Sequence, residues 1–355
     1  MPTNRVVGLD IGTSSLKAAQ VRRDGDTFIV ESTHTRPLPA QLIKDGRVVE
    51  EKQDALVTEI ADFFKQAGFQ TRDVIVGLSN PADAITRSAD FNWVAPKDLE
   101  EALPLMVEAQ RSIVNVDPED FDFAVTPISE YVVGRQKKLR TLVYAARIEA
   151  TEKLAEVVKA AGLQLVGIDL TSLAGLRAMA VPFIDASVVH VIVNVGHSLT
   201  SVVIHRGGVP LQISVVEGLG GNEATERVAE ALATDNKFEA EAKKFEARAK
   251  DGDVFAAIDG ANRALANNIR GTVDEFFSKN RNVEDALGGI TLLGGGALLH
   301  NLPATLSRTF DDIEVQHTAY DPRFKAAKGN VIDRFDAEGR DLAVAIGLAA
   351  GARVA

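Results

Sequence analysis

The sequence has no cysteine among its 355 residues. Disulfide bonds, thiolate metal sites and cysteine nucleophiles are therefore excluded, and the absence is typical of a reducing compartment. Positive charge is also in deficit, because 39 Lys and Arg face 50 Asp and Glu and the formal net charge is −11. Since an acidic surface is repelled by phosphate backbones, we expect no nucleic-acid partner.

Long apolar runs are missing as well. The most apolar stretch, residues 187–196, is about half the roughly 20 residues that a membrane-spanning helix needs. Near the N-terminus, Asp10 interrupts the short apolar run that follows Arg5, which does not fit a secretory signal. We therefore expect a cytoplasmic protein without direct membrane insertion, whose contact with a membrane goes through other proteins.

What remains is the composition of a folded globular protein, with 46% hydrophobic and 25% charged residues. The length exceeds what one hydrophobic core supports, so at least two lobes are predicted. Short β-branched runs at residues 6–11, 16–21 and 74–78 alternate with helical patterns, such as the apolar spacing between Leu56 and Phe64 that ends before Gly68. This alternation predicts an α/β fold.

Two stretches interrupt or repeat that pattern. Residues 83–169 read as strand, helix, strand, strand, helix, strand, which fits a compact inserted subdomain with Pro104 either kinking its first helix or lying in the first turn. Beyond residue 187 strands resume, and a helix follows for which Asn222 is the predicted N-cap. A long amphipathic helix is then predicted to end near Asn280.

Residues 8–23 and 192–207 are similar to each other. Each copy reads as a strand, a glycine turn with hydroxyl residues, and a second strand. Such turns can aim backbone N–H groups and hydroxyls at phosphate oxygens, so two facing copies would hold a polyphosphate. The candidate phosphate-binding residues are Gly12, Thr13, Ser14 and Ser15 in the first copy and Gly196, His197, Ser198 and Thr200 in the second.

Further candidates surround these turns. Asp10 ends the first strand, where a carboxylate can hold a Mg²⁺ ion through its water shell, and Lys17 can add a positive charge. A strand then leads into Gly294, Gly295 and Gly296, whose bare backbone would let adenosine approach closely. Each motif alone is usually a structural turn, but together and in this order they predict a site for ATP and Mg²⁺.

The motifs resemble those of the actin, Hsp70 and sugar-kinase superfamily. The resemblance implies a two-lobed actin-like, ribonuclease H-like α/β fold. In that superfamily a glycine pair similar to Gly220 and Gly221 meets ribose and phosphate, and residues similar to Glu241 and Lys244 lie beside the adenine. These four residues are therefore further expected cofactor-binding positions.

Within the superfamily the sequence is most similar to the cell-division protein FtsA and, above all, to the type IV pilus assembly protein PilM. The inserted segment follows the strand at residues 74–80, where these families carry a ferredoxin-like subdomain, and residues 165–178 and 341–351 resemble segments of PilM. The sequence ends at residues 351–355 without the C-terminal linker and amphipathic helix of FtsA, which favours PilM.

This resemblance implies a division into subdomains and a function. The implied units are a first lobe of residues 1–82, 168–186 and 341–355 (1A), an inserted FtsA/PilM-type subdomain of residues 83–167 (1C), a second lobe of residues 187–222 and 288–340 (2A), and a helical subdomain of residues 223–287 (2B). The implied function is a cytoplasmic ATP-binding scaffold, peripheral at the inner membrane, that docks the N-terminal cytoplasmic tail of a PilN-like inner-membrane protein beside the insert. Pilus motor ATPases are a further candidate partner class.

Turnover of ATP stays an open question at this level. Asn194 stands where the superfamily usually has an aspartate, and an amide cannot supply negative charge to a metal or an attacking water. Asp169 is a candidate base, although a capping carboxylate is the favoured interpretation. We expect slow or absent hydrolysis with no assigned catalytic residue, and the alternatives are an FtsA-like filament former and a small-molecule kinase or ATPase. The role of the basic hairpin at residues 134–140 also stays open.

Overall fold

The computed structural model describes residues 5–109, 115–179, 186–246, 248, 251–280, 286–317, 320–327 and 331–351. The ends of the sequence, residues 1–4 and 352–355, lie outside this part. Within it, no helix combines the length and the apolar character needed to cross a bilayer.

The elements follow one another in two similar series with an insertion in the first. The first series contains β1 (Arg5–Ile11), β2 (Ser15–Asp24), β3 (Thr27–Pro37), β4 (Ile43–Lys44), β5 (Arg47–Val48), α1 (Gln53–Ala67), β6 (Asp73–Leu78), β7 (Ala84–Asn92), α2 (Leu99–Ala109), β8 (Phe121–Val133), β9 (Gln136–Arg147), α3 (Ile148–Ala160), β10 (Gln164–Leu170) and α4 (Thr171–Ala178). The second contains β11 (Val189–Val195), β12 (Leu199–Arg206), β13 (Val209–Glu217), α5 (Gly221–Leu232), α6 (Lys237–Glu246), α7 (Gly252–Lys279), β14 (Leu287–Leu293), α8 (Leu302–Thr309) and β15 (Val315–His317). Strand β16 (Phe324–Ala326) and helix α9 (Val331–Ala350) return to the first lobe.

Each lobe is built on one mixed sheet. The strand order is β10-β6-β1-β2-β3-β16 in the first lobe and β13-β12-β11-β14-β15 in the second. In both sheets a hairpin, β1-β2 or β11-β12, pairs on its other side with a parallel strand, β6 or β14. The repeat read from the sequence is therefore a repeat of topology, and it places Asp10 opposite Lys17 and Asn194 opposite Ser201 at equivalent ladder positions.

Local signals explain most helix boundaries. Helix α1 buries the predicted apolar face and ends at Gly68, which adopts the left-handed conformation (φ 64°) that glycine favours. Helix α7 ends at Asn280 as expected, and Pro104 lies inside helix α2. The expectation for Asn222 is wrong, because α5 begins at Gly221 and the N-cap is Gly220. The backbone N–H of Asn222 instead donates to the His197 carbonyl at 2.8 Å.

The inserted unit is smaller than predicted. It consists of the sheet β7-β9-β8 with helix α2 packed on it, whereas α3 and β10 were expected to belong to it as far as residue 167. Helix α3 buries Leu154 and Val157 in the core of the first lobe with Phe63, and β10 pairs in parallel with β6. The last helix and strand of the predicted pattern thus complete the first lobe, because the apolar face of α3 fits α1 and β6 has a free edge for β10.

The inserted unit also contacts the second lobe. Its Leu142 and Tyr144 share an apolar cluster with Ile213 and Leu293 of the second lobe and with α4 of the first. The Thr86 hydroxyl donates to the Ile213 carbonyl at 3.0 Å. The insert is therefore held against both lobes.

The last helix, α9, packs directly on strands β1 and β2 at a position that only glycine permits. A Cβ added to Gly8 would lie 1.9 Å from the Ala345 carbonyl oxygen and 2.6 Å from the Ala349 nitrogen. We predict that Gly8→Ala forces α9 off the sheet and lowers the free energy of unfolding by about 1–3 kcal/mol, as overpacked cores do. The measurement is urea unfolding followed by circular dichroism.

Gly271, in the middle of α7, provides the matched control. A Cβ there meets nothing within 4 Å, so Gly271→Ala should leave stability unchanged or raise it by up to about 1 kcal/mol. Equal stability of the two variants would contradict the packing of α9 described above.

Candidate functional site

Two loops of the same construction end the paired hairpins. In the first loop (residues 12–15) the Gly12 N–H donates to the Ser15 carbonyl at 3.0 Å, and in the second loop (residues 196–199) the Gly196 N–H donates to the Leu199 carbonyl at 2.9 Å. A Cβ at Gly196 would lie 2.8 Å from that Leu199 oxygen. Glycine is needed here because each turn closes so tightly on itself.

The two loops face each other across the cleft between the lobes. The hydroxyls of Thr13 and Ser198 are 2.9 Å apart, so one hydrogen bond joins the loops directly. Both loops line a single cavity together with further groups from both lobes. The predicted residues in its lining are Asp10, Gly12, Thr13, Ser14, Ser15, Lys17, Gly196, His197, Ser198 and Gly294.

Charge in this cavity is concentrated on three side chains. The Lys17 ammonium lies 2.6 Å from the Asp341 carboxylate, and Asp10 is opposite Lys17 in the β1-β2 ladder. Burial raises the pKa of the Asp10 carboxyl, with Lys17 opposing the shift and Asp341 adding to it. Burial lowers the pKa of Lys17, but Asp341 and Asp10 outweigh it and the net shift is upward. The cavity therefore holds its lysine charged.

Asp341 was not among the predicted site residues. It lies on α9 and reaches the cavity beside the glycine motif, since a Cβ added to Gly295 would be 3.3 Å from its Oδ1. Gly46, Ser79 and Thr171 also line the cavity without having been predicted. A lone carboxylate just before the apolar run of residues 342–350 was the signal available for Asp341, whereas the other three lie on turns and helix starts that only the fold brings together.

Thr200 was predicted to bind phosphate, and the structure places it elsewhere. Its side chain is fully buried on the helix-covered face of the second sheet, and its hydroxyl donates to the Leu219 carbonyl. Side chains alternate between the faces of a strand, so the cavity receives Ser201 and not Thr200. Thr200 anchors the segment that leads into the glycine pair.

The other predicted glycines pack against the second loop. A Cβ at Gly220 would lie 2.4 Å from the His197 carbonyl oxygen, and one at Gly294, whose φ is 82°, would lie 2.4 Å from the Val195 carbonyl oxygen. The Gly221 N–H donates to the Gly196 carbonyl at 2.8 Å. The start of α5 is thereby fixed to the second loop, and burial lowers the pKa of His197 within it.

Neither of the two residues of catalytic interest in the sequence, Asn194 and Asp169, offers a free carboxylate at the cleft. Asn194, which lines the cavity, is neutral. Asp169 forms an ion pair with Arg177 at 2.7 Å, and its Oδ1 accepts the Leu170 N–H at the start of α4. Among the described residues the carboxylates lining the cavity are Asp10 and Asp341, and Asp341 is already paired with Lys17.

Lys244, which is buried, forms a hydrogen-bond network with Glu241 next to the glycine pair. The Lys244 ammonium donates to the Gly221 carbonyl (2.9 Å), the Thr225 hydroxyl (2.9 Å) and the Glu241 carboxylate (2.6 Å). Burial lowers the pKa of Lys244, and Glu241 opposes the shift. The Gly296 Cα lies near the same point, 3.8 Å from a Cβ added to Gly221. The Lys244-Glu241 pair, the glycine pair and Gly296, all of which were expected beside the adenosine, thus lie close together.

This network gives Lys244 a structural task that can be separated from ligand contact. We predict that Lys244→Met lowers the free energy of unfolding by about 1–3 kcal/mol, because buried acceptors lose their donor. Lys243→Met is the control, since Lys243 is exposed and its ion pair among the described residues is with Glu246 in the same helix. Thermal unfolding without added ligand is the measurement. A Lys244→Met variant as stable as Lys243→Met would contradict the structural role.

Comparison with known proteins shows the family to which this architecture belongs. The family model of type IV pilus assembly protein PilM matches residues 8–352. A solved structure described as the PilM-PilN type IV pilus biogenesis complex is similar to this chain with 28% identity and a TM-score of 0.80, and the match covers 98% of each chain. Comparison with curated protein sequences gives no significant match.

More distant structures share the fold alone. Ethanolamine utilization protein EutJ from Carboxydothermus hydrogenoformans matches with 16% identity and a TM-score of 0.57, covering 98% of this chain and 90% of that one. MreB 5 of Spiroplasma citri bound to AMPPNP matches with 14% identity and a TM-score of 0.52, covering 97% and 95%. With two similar lobes, facing loops and a family match over nearly its whole length, the chain belongs to the family of type IV pilus assembly protein PilM and has its two-lobed actin-like fold.

Proposed function

We propose that this protein is a scaffold of type IV pilus assembly that binds Mg-ATP between its lobes and docks the cytoplasmic tail of a PilN-like inner-membrane protein. It acts in the cytoplasm, peripheral to the inner membrane through that partner. The observation that carries the nucleotide part is the 2.9 Å contact between Thr13 and Ser198, because it brings two phosphate-type loops to one point. The partner part rests on the similarity to the PilM-PilN complex over 98% of both chains.

The residues around the loops suit a metal-bound triphosphate. Backbone N–H groups and hydroxyls of both loops offer donors to phosphate oxygens, and Lys17 adds a cation. The described residues contain no cluster of three or more His, Cys, Asp or Glu with metal-site geometry. Mg²⁺ commonly keeps several waters and takes one or two carboxylates plus phosphate oxygens, so Asp10 would hold it through water. When bound, the ion would supply charge neutralisation for the phosphates.

Slow or absent hydrolysis fits the same cavity. A base must reach the attacking water with a workable pKa, but Asn194 is neutral and Asp341 is engaged by Lys17. Family membership does not favour the alternatives. An FtsA-like filament former would sediment in the presence of ATP, and a kinase or ATPase would release or transfer phosphate rapidly, whereas a scaffold does neither.

A phosphate role for Lys17 predicts a selective loss of affinity. Lys17→Met should weaken ATP binding about tenfold, because a hydrogen bond to a charged group contributes about 1.5 kcal/mol or more. Binding of adenosine, which has no phosphate, should change much less. Calorimetric titration measures both, and Lys65→Met, on the exposed face of α1, is the control. An equal loss for ATP and adenosine would contradict the phosphate contact.

A groove at the base of the inserted unit is our candidate for the partner tail. Its volume is about 440 Å³, and it runs between the β4-β5 hairpin, the start of β7 and helix α3. Its lining mixes apolar groups such as Leu78 and Leu154 with the charged side chains of Arg47, Arg147 and Lys153. A groove of this kind can take apolar and polar side chains of an extended peptide.

Two lysines of α3 test this assignment. We expect a synthetic peptide of the N-terminal cytoplasmic tail of the PilN-like protein to bind saturably and one to one. Lys153→Glu, in the groove, should weaken binding at least about fivefold, or about 1 kcal/mol. Lys159→Glu, on the same helix near its exposed end, makes the same charge change outside the groove. Fluorescence anisotropy measures the affinities, and equal affinities for both variants would place the tail elsewhere.

A further inference from the structure

The short turn between β4 and β5 lies at a junction of three parts of the molecule. We call residues 45–47 the connector turn. Asp45 and Gly46 both have positive φ angles, 50° and 81°, as is usual for the two central residues of a tight hairpin turn. The turn is held in place by hydrogen bonds to Asn80 and Asp83.

On one side the connector turn touches the cavity between the lobes. Gly46 belongs to the lining of that cavity along with both loops. A Cβ at Gly46 would lie 2.5 Å from the Ser79 hydroxyl oxygen and 3.2 Å from the Leu199 side chain. Leu199 is the residue whose carbonyl closes the second loop by accepting the Gly196 N–H. The second loop and the connector turn therefore lie side by side in the wall of the cavity.

On the other side the turn is tied to the points where the chain enters and leaves the inserted unit. The Asn80 side-chain amide donates to the Asp45 carbonyl at 2.7 Å. Arg47 binds the Asp83 carboxylate through two nitrogens, each at 2.6 Å. Asp83 is 3% exposed and also pairs with Arg147 at 3.3 Å, while its carbonyl accepts the Arg147 N–H at 2.8 Å.

Asp83 comes directly before β7 and Arg147 ends β9, so this carboxylate fastens both ends of the inserted unit to one arginine of the first lobe. A bidentate arginine-carboxylate pair fixes orientation as well as distance. Arg47, Asp83 and Arg147 are at the same time part of the wall of the candidate tail groove. Movement of the connector turn therefore changes the shape of that groove.

We propose that the connector turn couples occupancy of the cavity between the lobes to the groove at the base of the inserted unit, with the Arg47-Asp83 pair as its rigid link. The inference rests on the proposed function and adds its regulation. The triphosphate in the cavity displaces the second loop, Leu199 moves Gly46, and Arg47 turns the inserted unit through Asp83. Linkage makes the effect reciprocal, so the tail changes ATP affinity by the same factor that ATP changes tail affinity.

The test is the ratio of tail-peptide affinities with and without Mg-ATP. In the unmodified protein we expect a ratio of about fivefold or more, the lower end of typical coupling between sites. Arg47→Gln removes the two-nitrogen link and should bring the ratio to within about twofold of one. Because Arg47 also lines the groove, the ratio and not the absolute affinity is the readout. Arg72→Gln, at an exposed arginine of the first lobe, should keep the unmodified ratio.

Hydrogen exchange gives a readout that does not need the peptide. Addition of Mg-ATP should change exchange at the ends of β7 and β9 that meet Asp83 and Arg147, and Arg47→Gln should abolish that change. The inference is overturned if Arg47→Gln keeps the full coupling ratio, or if Mg-ATP leaves these strand ends unaffected in the unmodified protein. Tail binding with a ratio of one would overturn the coupling and leave the proposed function standing. Absence of tail binding together with an exchange response would reject the partner assignment and support the link.

Discussion

The structure depends on the approach of two loops that the chain builds in the same way 184 positions apart. Each loop ends a hairpin at the centre of its own sheet, so neither can shift without moving the lobe behind it. Their contact through Thr13 and Ser198 consequently fixes the distance between the lobes. The cavity lies between the two loops, and the second loop also accepts the first N–H groups of α5.

The positive charge of Lys17 in the cavity is already neutralised by the protein itself. Lys17 is paired with Asp341 and faces Asp10, which leaves one positive and two negative side chains at the centre of an acidic protein. The triphosphate proposed to bind there would add further negative charge, which a divalent cation would offset. The Lys17-Asp341 ion pair also links strand β2, which directly follows the first loop, to helix α9.

Much of this arrangement could be read from the sequence, and the limits have physical causes. The two glycine-hydroxyl turns were visible because each is a local motif, and the C-cap at Gly68 because it needs a left-handed residue. Thr200 was predicted at the phosphate site, but Ser201 lines the cavity in its place. The face on which a side chain lies depends on where the strand begins, and a one-residue offset exchanges the two. Asp341 was missed because a carboxylate just before the apolar run of residues 342–350 does not by itself show that α9 returns to the cleft.

The inserted unit illustrates a second limit. Its six-element pattern was read correctly, but pattern alone cannot tell which sheet a strand joins, and β10 joins β6 of the first lobe. The same holds for Asn222. Its backbone N–H donates to the carbonyl of His197, which lies in the second loop 25 positions earlier in the chain. Long-range pairing decides such cases, and it becomes visible only in three dimensions.

The apolar cluster shared by Leu142, Tyr144, Ile213 and Leu293 has a kinetic consequence. Lobes joined only by a hinge could swing apart freely, but here the inserted unit bridges the gap and closes the three bodies into a ring. Separating the lobes then exposes buried hydrocarbon to water, which opposes the motion. The lifetime of a trapped ligand would accordingly depend on how fast this bridge parts.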